Sequence, residues 1–406
     1  MKKFLCLLLA GIILFSLSGC SEAFDDFSFT SSSDFDFGIS SYSEYNYSSE
    51  AESKAENSYF SSSSRYNYSS NRYSGIQSSS QDTPTFYSLT TLSKYLNEQK
   101  NKGVLKITFK YSGTEEPDPQ MLAQMVSAFF VTDTVVGDKH TLNITEYPGD
   151  RIVDAYRSGN RALLTSDEKK AMDKAIQMVS TAKAKAKNNW ELELLIHDML
   201  ADNINYYNDA AVDFDKLTDA PRYISIVGAL LDKKANCQGY SDAFYTLASM
   251  AGFTVSRMNV ETPDDLHVTN TISLNGRWYV VDVTFDDQGS NAPTNHRLFN
   301  AGLDCINEYS WKPWKEINPI AAMSGVDYYY NNKGISFYTM KSFAEYTVNK
   351  WLAGEKTIDG MVRNQKNGDA IEGELSKALK NTGKAYNYTY WYYEDSKNLY
   401  YTIQFK

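Results

Sequence analysis

The sequence predicts an α+β chain in which helices packed on an antiparallel sheet form a centre, flanked by two small duplicated α/β modules and preceded by a disordered N-terminal tether. Three observations predict it. Two β-type runs, HVTNTISL and RWYVVDVTF, are joined by Asn275-Gly276, the strongest short hairpin signal. Apolar residues recur at helical spacing before that hairpin, first along residues 165–200 and again after Cys237. Finally, FYSLTTLSKYLNEQKNKGVLKI (86–107) aligns without a gap with FYTMKSFAEYTVNKWLAGEKTI (337–358) at a constant offset of 251 residues, carrying Phe86 to Phe337 and Ile107 to Ile358.

The chain opens with MKKFLCLLLAGIILFSLSGC: two lysines, an apolar run too short to span a bilayer comfortably, then small residues, the layout of a secretory signal. LSGC at 17–20 resembles the lipobox of bacterial lipoproteins. That resemblance implies cleavage after residue 19 and a lipid on Cys20, which would hold the mature protein on the extracellular face of a bacterial cell membrane. An ordinary cleaved signal and a free secreted protein is the alternative. Residues 20–84 are dominated by Ser, Tyr, Phe, Asn and acidic side chains without a helical or strand period, as in SSSDFDFGISSYSEYNYSSE. Such a segment reads as a disordered tether with a root-mean-square span of about 45 Å. DFDFG at 34–38 lacks the ligand pattern of a calcium-binding loop.

With 406 residues, 42% of them hydrophobic, the chain has room for two or three ordered modules. A net charge of −10 argues against nucleic acid, because phosphate contacts need clustered Lys and Arg. The one basic run, KAKAK at 183–187, reads as the solvated face of a helix. The first module, 85–163, opens with a helix bearing Leu89, Leu92 and Leu96 and continues with a strand that sets Leu105, Ile107, Phe109 and Tyr111 on one face. A helix over PQMLAQMVSAFF and a strand TLNITEY complete an αβαβ unit. The matching module, 321–406, adds a helix with Ile371, Leu375 and Leu379 on one side and two aromatic strands, NYTYWYYE and LYYTIQF.

The centre spans 164–320. TSDE from Thr165 has capping-box spacing before a helix bearing Met172, Ile176 and Val179, and WELELLIHDMLADNI puts Leu192, Leu195, Ile196 and Met199 on one face. His197 on that second helix reads as structural. After Cys237, Tyr240, Phe244, Leu247 and Ala248 recur at helical spacing, with Gly252 where a C-terminal cap belongs. Cys237 thus falls in the first turn of a buried helix, where backbone N–H groups and the helix dipole stabilise a thiolate and face a developing oxyanion. The Asn275-Gly276 turn sets Thr269 opposite Asp282 and His267 opposite Thr284, so these four project to one side of the sheet. Val268, Ile272, Leu274, Tyr279, Val281, Val283 and Phe285 fall on the other. His267 and Asp282 are then diagonal neighbours, and the carboxylate can orient the ring. His296 is the substitute base, and a Cys237–Cys305 disulfide is the alternative use of the thiol.

A Cys opening a helix (CQGYSDAF), a His starting a strand about thirty residues on, and NGRWYVVDVTFDD resemble the bacterial transglutaminase-like superfamily, a papain-like fold, over roughly residues 165–312. The resemblance implies Cys237 as nucleophile, His267 as base and Asp282 as its orienter, and attack on an amide carbonyl through a thioester. Hydrolysis of a protein or peptide substrate, cell-wall peptide included, is favoured over cross-linking because water is abundant outside the cell. It implies no cofactor and no metal. Family members carry an aromatic residue two positions after the histidine, where this chain has Thr269, so an aromatic wall is expected to be missing. Tyr206 or Tyr207 is the candidate side-chain donor to an oxyanion. The rival reading is a non-catalytic surface module that binds or adheres through the same fold.

Overall fold

The computed structural model describes residues 83–207, 222–262, 266–289, 292–313 and 321–406. The signal of residues 1–19, Cys20, DFDFG and nearly all of the tether expected at 20–84 lie outside the described residues. Among the described residues, no helix is long and apolar enough to cross a membrane.

The first module runs β1 (Thr85–Phe86), α1 (Leu89–Asn101), β2 (Lys106–Tyr111), α2 (Pro119–Met125), β3 (Phe130–Val136) and β4 (Lys139–Thr145). Ile107, Phe109 and Tyr111 of β2 face Leu92 and Leu96 of α1, all buried in one cluster, so alternation and helical period meet at a common core. The helix expected through PQMLAQMVSAFF stops at Met125, because Ser127 adopts a left-handed φ of 47°. Phe130 then starts β3, an edge strand absent from the sequence reading. Of its seven residues only Val131 is buried, so it carries almost no alternating pattern to detect.

The main core draws on elements on both sides of residue 163. Helix α3 (Pro148–Ser158) contributes Ile152, Val153 and Ala155 to the main core, and α4 (Ser166–Lys185), α5 (Asn189–Ala201), β5 (Asn205–Tyr206), β6 (Lys234–Ala235) and α6 (Cys237–Ala251) follow. The sheet comprises β7 (Thr254–Glu261), β8 (Leu266–Leu274) and β9 (Arg277–Val281) with β10 (Lys312–Pro313) on its edge, all antiparallel in the order β10-β7-β8-β9. Short helices α7 (Val283–Asp286) and α8 (Leu303–Glu308) lie between β9 and β10. The single turn α9 (Tyr329–Asn332), with Tyr328 and Ile335, also packs into the central core, past the expected boundary at 320/321.

Helix α6 is the spine of this core. Tyr240, Phe244, Leu247 and Ala248 are each at most 1% exposed, and burying each large side chain contributes about 1.5–3 kcal/mol. Gly252 closes the helix at φ 111°, in the left-handed region where glycine has no Cβ penalty. A buried charge cluster ties α6 to its neighbours. Arg257 of β7 donates to Asp150 of α3 (3.0 Å) and to Asp242 of α6, and its guanidinium lies between the rings of Tyr147 (4.2 Å) and Tyr245 (3.9 Å). Lys100 of α1 pairs with the same Asp150 at 3.0 Å. Burial alone would raise the Asp150 carboxyl, but the two cations hold it below the usual carboxylate range.

At the start of α4, Thr165 Oγ1 accepts from Glu168 N (3.2 Å) while Glu168 accepts from Thr165 N (2.8 Å), a complete capping box. Thr165→Ala is expected to cost about 1 kcal/mol in urea unfolding. An unchanged midpoint would show that the cap contributes nothing.

The second module repeats the first element for element: β11 (Ser336–Phe337), α10 (Met340–Leu352), β12 (Thr357–Arg363), α11 (Ala370–Lys380), β13 (Tyr388–Glu394) and β14 (Asn398–Phe405). Sheet orders are β1-β2-β4-β3 and β11-β12-β14-β13, each with its first pair parallel and the rest antiparallel. The pairing of Thr85 with Lys110 recurs as Ser336 with Met361, and the cap at Ser88 recurs at Thr339. The offset read from the sequence is therefore also the offset of the first strand pair; beyond it the registers part, Lys106 pairing with Asn143 but Thr357 with Gln404.

Candidate active site

Strand β6 runs directly into α6, so the chain turns at Asn236 and presents Cys237 as the first helical residue. The Asn236 side chain accepts from Gly239 N at 3.2 Å and its backbone N–H donates to Tyr223 O at 2.9 Å. Gly239 is required there, since a Cβ would sit 2.5 Å from the Tyr223 carbonyl oxygen. Cys237 is a half-buried free thiol, and Cys305 is a separate, buried thiol near Ser324 (3.4 Å), so no disulfide joins the two. Burial pushes the Cys305 thiol up to about 11, which makes it the inert cysteine of the pair.

His267, the second residue of the inner strand β8, donates from Nε2 to Asp282 Oδ2 at 2.5 Å, with both side chains buried. The ring also interacts with the Cys237 thiol. Burial opposes charging the ring, but Asp282 and then Cys237 outweigh it and hold the imidazole well above its ordinary range. The three groups read from the sequence are thus brought together, with the imidazole between sulfur and carboxylate.

The register that led to this pairing holds only part of the way. Leu274 faces Arg277 and Asn270 faces Val281, but the ladder ends there. Asp282 caps the one-turn helix α7, accepting from Phe285 N at 2.9 Å through Oδ1. Thr284 is therefore helical and does not pair with His267. Phe285 is likewise rotated out of the face expected for it. Its ring packs edge-on against His267 at 4.8 Å, and Trp311 closes the same side at 5.3 Å. The aromatic wall expected to be missing is present, supplied by α7 and by the segment before β10. Trp311 lies too far along the chain for any local pattern to find it, and Phe285 would have been found by reading Asp282 as an N-cap.

The other candidates fall as follows. Tyr206 and Tyr207 lie beside β6, with Tyr206 paired to Ala235 and Tyr207 N donating to Ala235 O at 2.8 Å, two residues before Cys237. Tyr206 stacks on Tyr240, whose hydroxyl donates to Asp287. His296, considered as a substitute base, is occupied elsewhere: Nε2 lies 2.9 Å from Asp198 Oδ1 and the ring stacks on Tyr329 at 4.0 Å. On α5 the expected face is incomplete. Leu195 and Met199 are only half-buried, while Glu193 and His197 are wholly buried and meet Asn300, Asp198 and Asp286.

No curated protein matches the chain. Among solved structures, a TGase is 14% identical over 61% of this chain and 70% of its own (TM-score 0.26). Calcium-bound LapG of Legionella pneumophila is 12% identical over 46% of this chain and 98% of its own (TM-score 0.24). A protein of Cytophaga hutchinsonii provisionally described as a cysteine protease is 12% identical over 38% and 61% (TM-score 0.22). Residues 176–283, the stretch that holds Cys237, His267 and Asp282, match the transglutaminase-like superfamily, and the chain thus carries a transglutaminase-like domain.

Proposed function

We propose that the protein is a transglutaminase-like cysteine hydrolase that cleaves amide bonds in protein or peptide substrates, cell-wall peptide included, from a lipid anchor at Cys20 on the extracellular face of a bacterial membrane. The observation that carries the chemistry is the chain of contacts from Cys237 through His267 to Asp282 at the start of α6. Cys237, as thiolate, attacks the amide carbonyl carbon, and the oxyanion forms facing the first-turn N–H groups of α6. His267 delivers its proton to the leaving nitrogen as the C–N bond breaks, leaving a thioester. The neutral imidazole then takes a proton from water, hydroxide adds to the thioester carbon, and the C–S bond breaks to restore the thiolate beside the reprotonated ring. Asp282 keeps the ring in register throughout. Phe285 and Trp311 limit solvent access to the imidazole and give an acyl group an apolar surface beside the base.

The test is a panel of glutamine and peptide amides incubated with the full chain, with and without an added primary amine. Ammonia or amine release with thioester trapping at Cys237 is expected, at the same rate without the added amine, and absent in Cys237→Ala. Product that forms only with the amine present would replace hydrolysis by cross-linking. A panel that binds with no labelling of Cys237 would leave a binding module on this fold.

A further inference from the structure

Apart from the thiol site, the chain buries a second group of titratable side chains. His197 and Asp198 from α5 meet His296 from the segment after α7, and Asp198 Oδ1 lies 2.9 Å from both His197 Nδ1 and His296 Nε2. One ligand atom from each of the three falls within 4.8 Å of the others. Each imidazole is also backed by a carboxylate on its outer side: His197 Nε2 is 3.3 Å from Asp286 Oδ2, and His296 Nδ1 is 3.6 Å from Asp359 Oδ2. Those two outer nitrogens are buried without a hydrogen bond. Asp359 is itself held by Tyr329 (2.8 Å) and Thr402 (2.9 Å).

We infer that His197, Asp198 and His296 form a binding site for a divalent transition metal of the zinc type, which clips α5 of the centre to the segment carrying His296. The donor set is two imidazoles and one carboxylate, a borderline set that suits such ions better than calcium or magnesium. A tetrahedral ion with bonds of about 2.0–2.1 Å needs ligand atoms about 3.3 Å apart. Both 2.9 Å contacts to Asp198 must therefore open by a few tenths of an ångström. Moving each ring away from Asp198 by that amount shortens the 3.3 and 3.6 Å gaps to Asp286 and Asp359, while the two imidazoles, within 4.8 Å, settle to the same ligand spacing. A metal-ligating histidine that donates its other N–H to a carboxylate is the usual outer arrangement of such sites. The Asp198 side chain is 34% exposed, which leaves a solvent path and a fourth position for water.

The full chain, prepared metal-free, is titrated with Zn2+ by calorimetry and with Co2+ by visible absorption. One equivalent is expected to bind, with the Co2+ spectrum of a nitrogen–oxygen tetrahedral site, unchanged in Cys237→Ala and absent in His296→Gln and Asp198→Asn. Asp359→Asn is expected to keep the stoichiometry and weaken binding by about 10–100-fold. Because the wild-type spectrum is read on its own, a misfolded variant does not blunt the test. Folded wild type that takes up no ion, a sulfur-to-cobalt charge-transfer band, or variants that bind as tightly as wild type would overturn the site. None of these readouts depends on amide turnover.

Discussion

His267→Ala is expected to reduce amide turnover by about 10^4-fold or more and to remove the rapid reaction of Cys237 with iodoacetamide at neutral pH. The imidazole meets both the Cys237 thiol and Asp282, so in the proposed mechanism its loss takes away the base, the acid and the counter-ion of the thiolate together. The pH dependence follows from the direction of the shift. Burial disfavours the charged ring, and Asp282 with Cys237 more than restores it, so His267 stays protonated above its ordinary range. A raised histidine stabilises the fold fully below its unfolded pKa, and that contribution disappears as pH rises through the folded value. Wild type is therefore expected to alkylate faster than the variant at neutral pH, with that advantage and the stabilisation from the charged ring lost together on the alkaline side. The variant's rate should instead climb with pH as a simple thiol's does. Equal rates for the two proteins at neutral pH would end the case for a thiolate–imidazolium pair.

Arg257→Met is expected to destabilise the fold by about 3–5 kcal/mol in urea unfolding. The substitution matches the length of the stem but leaves the buried Asp150 and Asp242 carboxylates facing one another with Lys100 as the remaining cation. It also removes the charge held between the faces of Tyr147 and Tyr245. Asp242 lies on α6 one turn beyond Cys237 and accepts from Gly149 N (3.2 Å) and Ile226 N (2.9 Å), so the loss reaches the helix that presents the thiol. Arg257→Lys keeps the charge and loses the fork, and an intermediate cost is expected. A change below about 1 kcal/mol for Arg257→Met would mean that this cluster is neutral in the energetics of folding.

What was legible in the sequence was what short-range geometry dictates. Cys237 at a helix start follows from the period of Tyr240, Phe244 and Leu247 and from Gly252 at the far end. The hairpin follows from Asn275-Gly276, whose φ values of 51° and 77° are those of the expected turn. Asp282 reached His267 even though the strand ends one residue earlier, because the last paired residue already sets the direction from which the carboxylate leaves the sheet. Phe285 was misplaced for the same reason in reverse: strand alternation was carried through a residue that caps a helix. The contribution of Trp311, the Arg257 cluster and the burial of His197 and Glu193 depend on partners that are remote in sequence, such as Asp150 with Arg257 and Glu193 with Asn300. Periodicity assigns faces to one element at a time, and it holds no information about which charged face will find its complement.

Asp282 has one consequence for selectivity. Its two oxygens are divided between the imidazole and the amide of Phe285, while the ring of Phe285 leans on that imidazole. A guest on that flank therefore presses on a ring whose residue also holds the carboxylate that orients the imidazole. Under the proposed hydrolysis, bulky occupants on that flank are expected to lose reaction rate more than affinity, because one short segment both screens and steadies the imidazole.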